Sequence, residues 1–276
     1  MAQPFGVAQL SELRDRLELM LSINTGDSYI DSVPELQDIN EAYQATAYAY
    51  DWPTLLTRTG IAKVANLDRY ALPTNFRKAR TVRLDDVKLG EVESEFLKRS
   101  RRVFTIDAAQ NDIIITPIPN AASTAYTFSN SESAGNAITI ELNSVSGLSS
   151  LEEVWIDSVS GTDEFTFVSS VNTTNTTITA RLFAAKSASD VLYRQKDILD
   201  ILYYRRVILL SAASDVTLLP QALDYILLFK AAALGFFRLE MFNEAERNEK
   251  MWRDQMAEAW LASDRLSTGH ATQFSI

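Results

Sequence analysis

At 276 residues, with 46% hydrophobic and 22% charged side chains, the chain has the makeup of an ordinary globular protein of one large or two modest domains. A formal charge of −10, from 36 acids against 26 bases, opposes a broad nonspecific grip on phosphates. The absence of cysteine and the single histidine, His270, exclude disulfides, thiolate chemistry, Cys/His zinc sites and relays built on an internal histidine.

Met1 to Leu10 has neither a basic stretch nor an apolar one, so no secretory leader is expected. Leu10, Leu13, Leu17 and Leu21 form one helical stripe and predict a first helix over about 9–22. Ser32 and Glu35 have the spacing of a capping box, with Pro34 in the first turn. A second helix is expected from there to about Asp51, turning Leu36, Ile39, Tyr43, Ala47 and Tyr50 inward and ending at Trp52-Pro53. From Leu55 to about Thr116 the apolar period shortens toward two, and short antiparallel strands are predicted around Ile61–Val64, Val82–Leu84, Val103–Ile106 and Ile113–Ile115. Within this stretch, Arg77 to Arg102 holds nine bases against five acids, and it is the one basic patch of the chain.

Residues 131–180 carry no Lys or Arg but seven acids, a change of composition that marks a separate module. Its strands are predicted at 137–142, 153–156, 164–168, 176–180 and 191–193, the spacing of a small barrel or sandwich. A further strand follows over 197–206. After Pro220 comes a helix that is apolar nearly all round, expected to be either buried centrally or shared between subunits. Asn243 and Glu246 are placed to cap a last helix to about Asp264, and Ser263 to Ile276 reads as an extended tail.

The nine glycines are never closer than twelve residues, so Walker A, GxGxxG and GxSxG motifs are excluded. The close acid pairs, Asp85 with Asp86 and Asp197 with Asp200, are the remaining candidates for carboxylate chemistry, and solvated surface or turn positions are the expected reading of both. No metal or cofactor is expected.

The order of these segments resembles the head-to-tail adaptor (head-completion) proteins of tailed bacteriophages. The likeness rests on Ile39-Asn40-Glu41-Ala42, Asp51-Trp52-Pro53-Thr54-Leu55, Tyr70 to Pro73 before Phe76, Ile201 to Arg206, Leu218 to Pro220 and Asn243 to Arg247. It covers about 5–128 and 197–262. The segment 129–196 departs from it and resembles small β-barrel modules of phage structural proteins, through Val145 to Leu148 ahead of the Trp155 strand. The resemblance implies an α+β protein. An adaptor domain of 1–128 and 197–276, a helical bundle with an antiparallel β extension, would carry an inserted all-β barrel or sandwich over 129–196.

It further implies a non-enzymatic virion protein of the neck, made in the host cytoplasm. It would form a ring, usually of twelve copies, between the portal protein and the next tail or nozzle protein, with DNA passing through the lumen without sequence-specific contact and with no membrane involved. Portal docking is then expected of Leu266, His270, Phe274 and Ile276. Subunit contacts are expected of Arg77, Lys78, Arg80, Arg83, Phe229, Phe236 and Phe237. The alternative is a tail or surface protein whose β module binds carbohydrate through Trp155, Phe165 and Phe167.

Overall fold

The computed structural model describes residues 8–21, 33–93, 96–97, 101–159, 162–220 and 222–267. The protein is α+β, with four α-helices and antiparallel or mixed sheets among the described residues. It divides into two compact units, Met1–Leu56 with Arg206–Ile276 and Thr57–Arg205. This division is wider than the 129–196 module implied by the resemblance. The strands between 56 and 116 and the one at 198–205 fall in the same unit as those of the acidic stretch.

The first unit holds α1 (Leu10–Leu21), α2 (Val33–Ala49), α3 (Ala222–Arg238) and α4 (Phe242–Ser267). The leucine stripe of α1 is buried as the period requires. On α2 the buried side is Ile39, Ala42, Tyr43, Thr46 and Ala47, while Leu36 and Tyr50 are half-buried. Glu35 is buried and accepts from Arg14 at 2.9 Å; its expected capping partner, Ser32, lies outside the described residues. Trp52 closes α2 fully buried, with its indole N–H donating to the Thr46 carbonyl at 2.9 Å. Trp260 of α4 stacks on Tyr50 at 4.9 Å and meets Trp52 edge-on at 5.9 Å.

Helix α3 is packed by α1, α2 and α4, which accounts for an apolar character on nearly every side. Of the two readings of this helix, central burial describes most of its length. Only Ala222, Tyr225, Phe237 and Arg238 are exposed on it. Its C-terminus closes as a Schellman motif: Met241 N–H reaches the Phe236 carbonyl at 2.9 Å and Glu240 N–H the Phe237 carbonyl at 3.1 Å, with Glu240 at φ +60°. The last helix begins at Phe242, so Asn243 lies inside it rather than capping it. It also runs on through Ser267, correcting the extended tail expected from Ser263.

The second unit is built from three sheets. One has the order β1 (Leu56–Ala62), β14 (Ile198–Arg205), β3 (Phe76–Leu84), β4 (Val87–Lys88). Another is β2 (Arg69–Ala71), β7 (Asp112–Thr116), β6 (Val103–Asp107), β5 (Gly90–Glu91), and these two share a core that includes Phe76, Val82, Phe104, Ile113, Ile115 and Ile201. The third has six strands: β8 (Tyr126–Thr127), β13 (Val191–Arg194), β10 (Glu153–Asp157), β11 (Glu164–Asn172), β12 (Thr177–Leu182) and β9 (Gly135–Glu141). It encloses its own core, including Tyr126, Phe128, Ile140, Val154, Ile156 and Leu192. Its edge strands meet through the Phe128–Leu142 bridge, supported by Ser129 N–H to the Glu141 carbonyl at 2.8 Å and Asn143 N–H to the Thr127 carbonyl at 3.0 Å.

Candidate assembly surfaces

In the second unit, Arg58 of β1 is held by two carboxylates at once. Its Nε and Nη2 donate to Asp200 of β14 at 2.8 and 2.9 Å, and its Nη1 and Nη2 donate to Glu153 of β10 at 2.7 and 2.9 Å. The ring of Phe165 covers its guanidinium, 3.8 Å from carbon to centroid. Burial works against this charge, yet the bonds from Asp200 and Glu153 outweigh it and hold the Arg58 pKa above its ordinary value. The planar fork matches carboxylate geometry, so one side chain ties the β1–β14 sheet to the six-stranded one.

Two residues farther along β1, Gly60 lies beneath Trp155. A Cβ there would fall 2.5 Å from Trp155 Cδ2 and 2.7 Å from Ile198 Cδ1. The indole is almost wholly buried and stacks on Tyr193 at 5.6 Å. Of the aromatics considered for sugar binding, Trp155 is therefore buried and Phe165 lies under Arg58, leaving Phe167 as the exposed one.

The acid pairs have structural employment. Asp85 and Asp86 form the two-residue β3–β4 turn, both with positive φ (+52° and +61°), the conformation of a type I′ hairpin, and Asp85 pairs with Lys63. Asp197 accepts from Arg194, and Asp200 is committed to Arg58. Among the described residues, no group of three or more His, Asp or Glu could hold a metal ion. Nor is any helix there long and apolar enough to cross a membrane.

The basic strand β3 slips register twice against β14, once where Leu202 and Tyr203 face Thr81 and Ala79, and once where Tyr204 and Arg205 face Lys78 and Phe76. The extra residues are Arg80 and Arg77. Bulges of this kind re-aim side chains, and Lys78, Arg80 and Arg83 are all exposed although strict alternation would put Arg83 on the other face. Arg77 is half-buried, with its guanidinium 5.6 Å from the centre of the Tyr204 ring.

The acidity of residues 131–180 is partly internal. Glu153, Glu152 and Glu164 pair with Arg58, Lys196 and Lys186, cations supplied from outside the segment.

In the first unit, the three phenylalanines expected at subunit contacts separate. Phe236 is buried, Phe229 is half-buried and Phe237 is 63% exposed. Phe237 meets Phe242 edge-on at 5.5 Å, and Leu239, Met241 and Phe242 extend the exposed apolar tip around the α3–α4 turn. Beside it a groove of about 500 Å³ is lined by Ala233, Leu234, Phe237, Phe242 and Ala245, with Lys230 and Glu249 paired at 2.6 Å on its wall. Leu266 lies in α4, and the positions of its side chain and of His270, Phe274 and Ile276 fall outside the described residues.

Sequence reasoning passed over Arg58, Gly60 and the Leu239–Phe242 tip. A lone glycine directly before the strand predicted from Ile61 was the available signal for the close approach at Gly60. No family model matches this sequence, and no curated protein does.

Proposed function

We propose that this protein is a structural, non-enzymatic virion component of a phage neck, a ring adaptor that joins the portal to the next tail or nozzle protein and lengthens the DNA channel. In this reading the helices form a bundle with the β1–β14 sheet as its extension. The six-stranded sheet is an inserted barrel carried on that plan. The segment order supplies the family resemblance.

The observation that carries the proposal is the exposed aromatic tip of the α3–α4 hairpin. Phe237 and Phe242 are 63% and 58% exposed, with Leu239 and Met241 beside them and an apolar groove alongside. A contiguous apolar surface of this kind marks a site of protein association. The sugar-binding reading keeps only one of its three aromatics exposed, and no observation favours it.

Mixing the protein with portal particles and imaging them tests the proposal. Rings of subunits, usually twelve, should appear at the portal vertex and should be lost when Phe237 and Phe242 are both replaced by Ser. Portal particles that stay bare with the unaltered protein would overturn the proposal.

A further inference from the structure

Two groups stand out among the described cations of the second unit. Arg58, Lys63, Arg69, Lys186, Arg194 and Lys196 each have a carboxylate partner within the unit. Arg80, Arg83, Lys88, Arg101 and Arg102 are exposed and have none among the described residues. The second group is contiguous through the backbone: Arg83 lies directly opposite Lys88 across the β3–β4 ladder, and the N–H of Gly90 donates to the Arg102 carbonyl at 3.0 Å. Like charges facing each other on adjacent strands destabilise the pair. On its other side Arg83 faces Asp200, but both oxygens of that carboxylate already accept from Arg58. Arg83 and Lys88 thus stand exposed with no carboxylate hydrogen bond of their own among the described residues, open to an incoming anionic group.

A matching surface exists on the same chain. The loops at one end of the six-stranded sheet bring Glu132, Asp157 and Asp163 together. Glu132 is bridged through its backbone to Lys186, whose ammonium donates to the Thr162 carbonyl at 2.6 Å. Ser158 N–H and Oγ donate to Asp163 and Asp190, each at 3.0 Å. Lys186 is buried and its carboxylate partner is Glu164 rather than Glu132, Asp157 or Asp163. Burial first, then the charges of Asp163 and Asp190, hold the Asp157 carboxyl above the usual range, a second like-charge conflict. A net charge of −10 disfavours a nucleic acid as the partner of the basic face.

We propose that the Arg83–Lys88 face of one copy docks the Glu132–Asp163 rim of a second copy in a head-to-tail contact. The two surfaces are different, so the contact is heterologous and repeats into a ring or filament. It rests on the self-assembling reading given above and names the surfaces through which copies meet.

Sedimentation of the full chain at low salt tests it, with far-UV circular dichroism confirming that each variant folds. The unaltered protein should self-associate in a salt-sensitive way. R83E/K88E and E132K/D163K should each lower the association constant about tenfold or more, and mixing the two variants should restore it, because reversed charges then meet reversed charges. No association of the unaltered chain, association indifferent to both double variants, or no recovery on mixing would overturn the proposal. So would binding of a short DNA duplex through Arg83 and Lys88 with self-association untouched. Rings of R83E/K88E on portal particles would sink this contact while leaving the neck reading standing. Salt-sensitive association with bare portals would do the reverse.

Discussion

Replacing Gly60 by Ala adds a single methyl group where the structure has no room for it. The new carbon would sit 2.5 Å from Trp155 Cδ2, 2.7 Å from Trp155 Cε3 and 2.7 Å from Ile198 Cδ1, all well inside van der Waals contact. Neither neighbour yields easily, because Trp155 is 4% exposed and stacked on Tyr193, and Ile198 is 1% exposed. The backbone of Gly60 does not have positive φ, so the effect is steric rather than conformational. Overpacking of this kind costs about 1–3 kcal/mol, while Ala gains back about 0.4–1 kcal/mol from a less flexible unfolded chain, leaving a net loss of about 1–2 kcal/mol. Equilibrium urea unfolding followed by far-UV circular dichroism measures it, with the loss confined to the transition of the β unit. In a Trp155→Phe background the smaller ring leaves space for the methyl, and the penalty of G60A should shrink by about 1 kcal/mol or more, a coupling expected only of touching residues. If G60A were as stable as the unaltered protein, or its penalty were the same with Phe at 155, the close approach of β1 to β10 would be refuted.

The remaining predictions concern each unit in turn. Glu240 holds a left-handed conformation that glycine adopts without a Cβ penalty, so Glu240→Gly should stabilise the helical unit by about 0.5–1 kcal/mol; an unchanged or lower unfolding midpoint would contradict the Schellman geometry. Burial of Asp190 disfavours its charge, but donors from Ser187, Val159 and Ser158 prevail and hold its carboxyl below the usual range. A depressed folded pKa supplies stability above the ordinary carboxylate range that is lost as pH falls through the folded value. Asp190→Asn should therefore flatten the acid limb of the stability–pH profile of the β unit, and an acid limb identical to that of the unaltered protein would refute the assignment.

Much of the local structure was legible because it depends on near neighbours. The leucine stripe of α1, the end of α2 at Trp52 and the five strands between 137 and 193 follow from period and punctuation, and each lies within a few residues of its expected place. What was not legible depends on partners far apart in the chain. Arg58 meets Glu153 across 95 positions and Asp200 across 142, and no local pattern announces a shared guanidinium. The lack of bases in 131–180 marked a module but not its pairing, and Arg58, Lys186 and Lys196 come in from outside to neutralise part of its charge. The all-round apolar helix looked equally suited to burial or to sharing, and only the packing of α1, α2 and α4 on α3 separates the two along its length. The exposure of Arg83 turned on two register slips in β3 that no alternation rule foretells.

Traffic between the two units uses only two crossings, at Leu56–Thr57 and at Arg205–Arg206, and the strands that begin and end the excursion, β1 and β14, lie side by side in one sheet. A protease nick in either crossing leaves the other as a tether, so release of the β unit takes two cuts. Any β domain exchanged for the residues between those crossings would therefore need neighbouring ends of its own.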